Sequence, residues 1–274
     1  MKEKKVVIIT GAAGGIGKET SRVFAKNGYS LCLLDRPSES SKLNELKSEL
    51  PGEHLAVLCD ITDYKNVESS IKKCYSHFGR IDALINNAGI MRPGSFEDAS
   101  LENIHQQIQV NLNGTIYCTK VALPYLKDSK GKLVIVASLA GVVPAPYHAV
   151  YVATKFGLRG LALTLHIELK KSGISVSCIL PGTIESPMTQ EMANQDRSSP
   201  MAYINPPLPA SKVATAIYRS IHSNQTEIYV PYSQGLLSRL ALSFPGMIPK
   251  IYPMMEKKGI RNQEAWKKKG VFSR

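Results

Sequence analysis

Three side chains in the second half of this 274-residue sequence could together move a proton to or from an oxygen: Ser138, Tyr151 and Lys155. Tyr151 and Lys155 stand four apart in a stretch that reads as helix, so the phenol and the ammonium share a face. Ser138 closes an apolar strand, Leu133 to Ala137. A side chain at the carboxyl end of a parallel strand can meet them, because open parallel sheets build their sites at that edge. A fourth candidate, Asn111, interrupts an apolar face made by Ile104, Ile108, Val110, Leu112 and Ile116. A buried amide needs partners, so Asn111 is either a structural hydrogen bonder or part of a relay. The Tyr–Lys spacing carries nothing alone, since about one such pair is expected by chance at this composition. Its weight comes from the elements around it.

Those elements begin with Val6 to Thr10, a β-branched run with the character of a strand buried on both faces. It ends in Thr10-Gly11-Ala12-Ala13-Gly14-Gly15-Ile16-Gly17, and a helical pattern follows to a stop at Gly28. Strand, glycine turn and helix together form a dinucleotide-binding context: the glycines admit a pyrophosphate to backbone N–H groups, and the helix N-terminus adds positive charge. Ser30 to Leu34 is the next strand, closed by Asp35. An acid there accepts hydrogen bonds from an adenosine ribose and repels a 2′-phosphate, which favours NAD(H) over NADP(H). Arg36 beside it is the residue that would hold that phosphate instead.

The pattern repeats with a helix at about 40 to 49 and a strand from Leu55 to Leu58. Cys59-Asp60-Ile61-Thr62 then leads into a helix ending at Phe78. Asp60 can reach an adenine at the sheet edge or cap that helix, with Thr62 and Asp63 competing for the cap. Ile81 to Ile85 is the fourth strand, ending in Asn86-Asn87-Ala88-Gly89. Residues 101 to 127 read as one long helix with Gly114 inside it. A strand from Ile174 to Leu180 ends at Pro181-Gly182-Thr183. Residues 184 to 210, with five prolines and Met188, Met192 and Met201, are too long for a simple connection and are expected to cover a pocket. A helix from Lys212 to Ser223 and a strand from Glu227 to Val230 complete seven strands alternating with about six helices, the order of a doubly wound parallel α/β sheet.

Composition narrows the function classes. A hydrophobic content of 43% with 20% charged residues describes an ordinary globule. The net charge of +12 is concentrated at the end, where residues 231–274 hold nine basic and two acidic side chains. With no finger, zipper or aromatic RNA-binding signature elsewhere, the charge reads as a solvated basic end and argues against nucleic acid as a partner. Five scattered cysteines without a Cys-x-x-Cys pair read as reduced core thiols, neither a disulfide frame nor a metal site, and point to a cytoplasmic protein. The uncharged run from Leu133 to Thr154 is long enough to span a bilayer, but its prolines and strand pattern speak against that.

Taken together, residues 4 to 232 resemble the short-chain dehydrogenase/reductase family. Thr10, Gly11, Gly15 and Gly17 match its Thr-Gly-x-x-x-Gly-x-Gly pattern, and Asn86 to Gly89 match its Asn-Asn-Ala-Gly. Its catalytic set falls on Asn111, Ser138, Tyr151 and Lys155, and its Pro-Gly turn on Pro181 and Gly182. The resemblance implies a Rossmann-type fold and a nicotinamide-dependent oxidoreductase in which Tyr151 is the acid/base and Ser138 holds the substrate oxygen. Lys155 would bind the ribose hydroxyls and, together with the positive ring of the oxidised cofactor, favour tyrosinate. Asn111 would hold a water linking Lys155 to solvent, and Thr183 would meet the nicotinamide carboxamide. The cofactor contacts it implies are Gly11, Gly15, Ile16, Gly17, Asp35, Arg36, Asp60, Ile61, Asn87, Ala88, Gly89, Tyr151, Lys155, Pro181, Gly182 and Thr183.

The substrate expected is a hydrophobic secondary alcohol or ketone. The alternatives are an NADPH-dependent 3-oxoacyl or polyketide-type ketoreductase, or a nucleotide-sensing scaffold that kept the fold, against which the complete catalytic set speaks. A homodimer or homotetramer is expected. Residues 1–232 read as one nucleotide-binding and catalytic domain, and 233–274 as an extension, apolar and then basic, beyond the usual family end. Three roles are open to that extension: a pocket cap or dimer arm, an anchor on a membrane surface, or a solvated tail. Tyr147 and His148 are assigned to structure or pocket lining.

Overall fold

Seven runs of branched and apolar side chains pair as parallel strands: β1 (Val6–Thr10), β2 (Ser30–Asp35), β3 (His54–Leu58), β4 (Ala83–Asn86), β5 (Lys132–Val136), β6 (Ser175–Pro181) and β7 (Glu227–Val230). The structure is a computed structural model that describes residues 4–193 and 198–268. The strand order is β3-β2-β1-β4-β5-β6-β7, so the chain reverses direction between β1 and β4. That reversal opens a crevice above the carboxyl ends of the two strands. β1 and β4 are buried along their whole length, which is why both read as unbroken apolar runs.

Side-chain alternation along the strands splits the core into two layers. One layer packs Ile8, Leu34, Leu84 and Leu133 against the helices α3 (Tyr64–Phe78), α5 (Gly114–Ser129) and α6 (Ala149–Leu169). The other packs Val7, Ile9, Leu31 and Leu33 against α1 (Gly15–Lys26), α2 (Ser40–Glu49) and α8 (Ala210–Ser220). All five cysteines are free and buried.

The structure departs from the sequence reading in the long helix and decides among the cap candidates of α3. The expected single helix over 101–127 consists of α4 (Leu101–Ile108), a π-helical segment (Gln109–Asn113) and α5. The wider turn holds Asn111, which is fully buried. Asp63, not Asp60 or Thr62, caps α3, accepting from the N–H groups of Lys65 and Asn66. Asp60 instead closes its own turn, accepting from the Thr62 N–H at 2.9 Å and the Thr62 hydroxyl at 2.7 Å.

The stretch expected to cover a pocket contains α7 (Pro187–Ala193) and a 3-10 turn, Pro200–Tyr203. Its two ends are clipped together by a bridge between Ile184 and Leu208 and by hydrogen bonds from Leu208 to Thr183 and from Glu185 to Leu208. The extension forms α9 (Tyr232–Ser243) and α10 (Ile248–Lys268), and α10 packs back on the Pro200–Tyr203 turn. Asn262 donates to the carbonyls of Tyr203 and Ile204, and the rings of Trp266 and Tyr203 lie 6.2 Å apart. No helix among the described residues is long and apolar enough to cross a membrane.

Candidate active site

β5 ends at Val136, and the chain turns so that Ser138 faces the cavity that Tyr151 and Lys155 reach from the first turns of α6. The Ser138 Oγ accepts from the Ala140 N–H at 3.1 Å and donates to the Pro181 carbonyl at 3.4 Å. Lys155 is buried, and its ammonium donates to the Val136 carbonyl at 3.1 Å. That contact ties α6 to the end of β5 and leaves two ammonium protons for other acceptors. The Lys155 Nζ lies 5.4 Å from the centre of the Tyr151 ring. Gly141 makes this approach possible, since a Cβ there would stand 2.6 Å from the Lys155 carbonyl.

Burial dominates the electrostatics. It pushes the Tyr151 phenol up to about 12, and the nearby Ser138 side chain offsets only part of this. Burial also draws Lys155 down to about 8. Desolvation thus opposes ionisation of the phenol, and the expectation that tyrosinate is favoured joins Lys155 to the positive ring of the oxidised cofactor.

Asn111 is satisfied by backbone. Its Oδ1 accepts from the Ile90 N–H at 2.8 Å, and its Nδ2 donates to the Ile90 carbonyl at 2.9 Å and to Thr154 Oγ1 at 3.2 Å. A Cβ on Gly89 would lie 3.3 Å from Asn111 Oδ1 and 3.5 Å from Lys155 Nζ, so the three residues meet at one point. Thr183 lines the cavity, but its hydroxyl donates to the Ala202 carbonyl at 2.8 Å, fixing the covering segment.

The opposite wall is the glycine turn. Gly11 has φ +64°, and a Cβ there would stand 2.8 Å from the Ala88 Cα; on Gly17 it would stand 2.1 Å from the Gly11 carbonyl oxygen. Only glycine allows β1, the start of α1 and the Asn87–Ala88 backbone to close up this tightly. Thr10 Oγ1 accepts from the N–H groups of Asn87 and Ala88, and Asn87 Nδ2 donates to the carbonyls of Thr10 and Gly11. The N-terminus of α1 has no side-chain cap and no acid in its first turn, so its N–H groups stay free for an anion.

Asp35 sits at the end of β2, accepting from the Ala13 N–H at 2.8 Å and the Arg36 N–H at 2.9 Å. Burial raises its pKa above the ordinary carboxylate value, and those two donors work against that rise. Arg36 is paired with Glu39 at 2.9 Å, and Glu39 also holds Lys42 at 2.8 Å. Asp60 is exposed, its carboxylate accepting from Thr62 and its N–H donating to Asn66 Oδ1, and the Ile61 side chain is buried beneath Gly114. A purine-bearing dinucleotide fits this set: an uncapped helix end for the diphosphate, a carboxylate at the next strand for a ribose, and Gly89, Pro181 and Gly182 along the approach to Tyr151.

One cavity of about 350 Å³ joins Ile16, Asn87 and Gly89 to Ser138, Tyr151 and Lys155. Beyond the tyrosine its lining turns apolar, with Met188, Met192 and Met201 from the covering segment and Leu237 and Met255 from the extension. Of two polar residues of this wall, Ser199 escapes the sequence reading and His148 is read as structure or pocket lining. The His148 Nε2, on a side chain assigned only to structure or lining, and the Ser199 Oγ are buried, and neither has a hydrogen-bond partner among the described residues. Burial draws His148 down to about 4. No sequence signal marks either one, because polar side chains next to prolines usually face water. Tyr147 adopts φ +65°, and its carbonyl accepts from the Gly94 N–H.

Comparison with known proteins gives one consistent result. A family model described as short chain dehydrogenase matches residues 5–197. The oxidoreductase UcpA of Salmonella typhimurium is 37% identical over 193 residues, covering 70% of this chain and 73% of that protein. A 3-ketoacyl-(acyl-carrier-protein) reductase from Brucella melitensis, solved with NADH, superposes with a TM-score of 0.73 at 27% identity, covering 83% of this chain and 97% of that one. An actinorhodin polyketide ketoreductase solved with NADPH superposes at 0.76 and 25% identity, covering 84% and 97%.

Proposed function

The chain belongs to the short-chain dehydrogenase family of NAD(P)-dependent oxidoreductases, and from that premise we propose that it interconverts an apolar secondary alcohol and its ketone with NAD(H) as the preferred partner. The observation that carries this reading is the single cavity in which Ser138, Tyr151 and Lys155 face the glycine turn at one end and a methionine-rich wall at the other. When bound, the nicotinamide exchanges a hydride with the carbon that bears the substrate oxygen.

The chain's own residues do the rest. The Tyr151 hydroxyl gives its proton to that oxygen in reduction and takes it back in oxidation. The Ser138 side chain, which lines the same cavity, holds the oxygen as charge develops on it. Lys155, with two free N–H groups, holds the ribose hydroxyls. Together with the cationic ring it lowers the cost of ionising Tyr151, against the desolvation that raises it. Asn111 positions the Ile90 backbone beside Lys155, where a water can connect the ammonium to solvent. Gly11, Gly15, Ile16 and Gly17 receive the diphosphate. Asp35 receives the adenosine ribose, with Asp60, Ile61, Asn87, Ala88 and Gly89 along the adenine and ribose side, and Pro181, Gly182 and Thr183 flank the nicotinamide. Small apolar molecules and further copies of the chain, in a dimer or tetramer, are the partners this reading carries.

The NAD preference rests on the Asp35 carboxylate at the ribose position and on the ion pair that occupies Arg36. The competing reading, an NADPH-dependent 3-oxoacyl or polyketide-type ketoreductase, draws on the two solved ketoreductases above. Fluorescence titration of the protein and of Asp35→Ala with NADH and NADPH decides between them. The expected result is tighter NADH binding, weakened at least about tenfold by the substitution as a charged hydrogen-bond acceptor is lost, with NADPH gaining relative to NADH. Tighter NADPH binding by the unmodified protein would overturn the preference.

A further inference from the structure

The two C-terminal helices leave an apolar face outward. In α9, Tyr232, Leu236 and Leu240 follow each other at helical spacing and are 73%, 48% and 54% exposed. Leu237 is 67% exposed beside them. The link to α10 adds Phe244 and Met247, and α10 adds Ile251 and Met254, all exposed. A surface helix normally shows its polar side to water, and large apolar residues gathered in one exposed stretch mark a surface that something covers. The inner face of α10 is not what is short of partners. Gly259 abuts the Pro200 carbonyl, and Asn262, Gln263 and Trp266 are engaged with the Ser198–Ile204 segment.

Between Tyr232 and Met255 the charged residues of these helices have one sign. Between Glu227 and Glu256 there is no acidic residue, while Arg239 and Lys250 fall inside that span and are exposed. The outer face of α10 continues from Ile251 and Met254 to Lys258 and Arg261, changing from apolar to cationic along one stripe. A second copy of the chain on this face would oppose cations to cations, with no acid in the span to pair them. An anionic, apolar-cored surface complements both properties. Leu237 and Met255 belong to these same helices and also line the cavity, and Leu237 is two-thirds exposed, so the cavity reaches the surface at this face.

We infer that the outward face of α9 and α10 docks on an anionic lipid bilayer, with Leu236, Leu240, Phe244, Met247 and Met254 in the interface and the basic side chains at the headgroups. The docking stands apart from the reaction proposed above. What rests on that proposal is only the consequence that an apolar substrate enters the cavity from the bilayer, past Leu237.

The test is flotation of the full chain with vesicles of phosphatidylcholine containing phosphatidylserine, and with vesicles of phosphatidylcholine alone, without substrate or cofactor. The triple substitution Leu240→Ser, Met247→Ser, Met254→Ser removes exposed side chains only. It should leave the thermal midpoint and NADH binding in place, which separates this test from any failure of the oxidoreductase reading. The expected result is flotation with the anionic vesicles, weakened by added salt and by Arg239→Glu with Lys250→Glu, and reduced at least about tenfold in the triple variant as apolar burial is lost. Flotation of the triple variant as strong as that of the unmodified chain would overturn the assignment of this face. So would absence of flotation, whether the protein is then a monomer or a dimer that the triple substitution dissociates; the dimer would identify the face as a contact between copies.

Discussion

At the residue scale the site is governed by what burial does to three titrating groups. Tyr151 is pushed up to about 12, Lys155 down to about 8 and His148 down to about 4. Tyr151→Phe keeps the ring and the packing but removes the proton. Turnover should fall by about 10²–10⁴-fold, the range of general acid–base catalysis, while NADH still quenches or enhances fluorescence as before. Retained turnover would remove Tyr151 from the reaction. In the alcohol-oxidising direction the rate should climb with pH, because the phenol must ionise before it can act as a base, and in the reducing direction it should fall. His148 gives a prediction about stability. Its folded value lies below the ordinary 6.5, so the unfolded chain takes up the proton first. Stability is then complete above about pH 6.5 and falls as pH drops toward 4, by roughly 3 kcal/mol for a shift of this size. Urea unfolding at both ends of that window should show this slope in the unmodified chain and lose it in His148→Phe; equal slopes would refute it. The residue types at the site were legible in the sequence, since Ser138, Tyr151 and Lys155 stand where strand and helix patterns put them. Their proton affinities were not, because desolvation depends on what the fold stacks above them. For the same reason nothing in the sequence shows that His148 Nε2 and Ser199 Oγ are left without partners.

At the element scale, strands were read more faithfully than helices. β1, β2 and β5 are buried on both faces, so each carries a continuous apolar run, whereas β6 buries Ser177 among its apolar side chains. The π-helical turn at Gln109–Asn113 adds a residue without disturbing the apolar face on either side, and periodicity cannot register that. α7 is only seven residues long, too short for a helical period to register, and α10 carries Pro253 inside it. The docking of α10 is specific enough to predict its loss. A Cβ on Gly259 would fall 2.1 Å from the Pro200 backbone carbonyl, which cannot yield as a flexible side-chain tip would. Gly259→Ala should therefore destabilise the chain by about 1–3 kcal/mol, the usual cost of overpacking. Because Met255 and Met201 lie on the two elements that are forced apart, KM for an apolar ketone should rise more than kcat falls. A kcat loss with KM unchanged would place α10 outside the substrate wall.

At the scale of the whole molecule, the site draws on both halves of the sheet. Gly11 and Asp35 stand at the ends of β1 and β2, and Asn87, Ser138 and Pro181 at or just beyond β4, β5 and β6. The alternation of strands and helices made this layout readable in advance, since the reversal between β1 and β4 follows from strand order and right-handed crossovers. A dinucleotide bound along these carboxyl ends touches elements from both sides of the reversal. Separating them on unfolding must release it, so binding couples to global stability and not to the opening of one loop. NADH present at about a hundred times its dissociation constant adds about 2.7 kcal/mol. For a chain of this size that raises the thermal midpoint by roughly 5–10 °C. NADPH at the same concentration should raise it less, since its 2′-phosphate faces Asp35 while Arg36 is held by Glu39. Glu39→Gln, which frees Arg36 and removes a negative charge near the ribose position, should narrow the gap between the two cofactors without altering the midpoint of the ligand-free protein by more than about 1 kcal/mol of surface ion pairing. A gap unchanged by this substitution would mean that Asp35 alone discriminates, and a larger NADPH shift in the unmodified chain would reverse the preference.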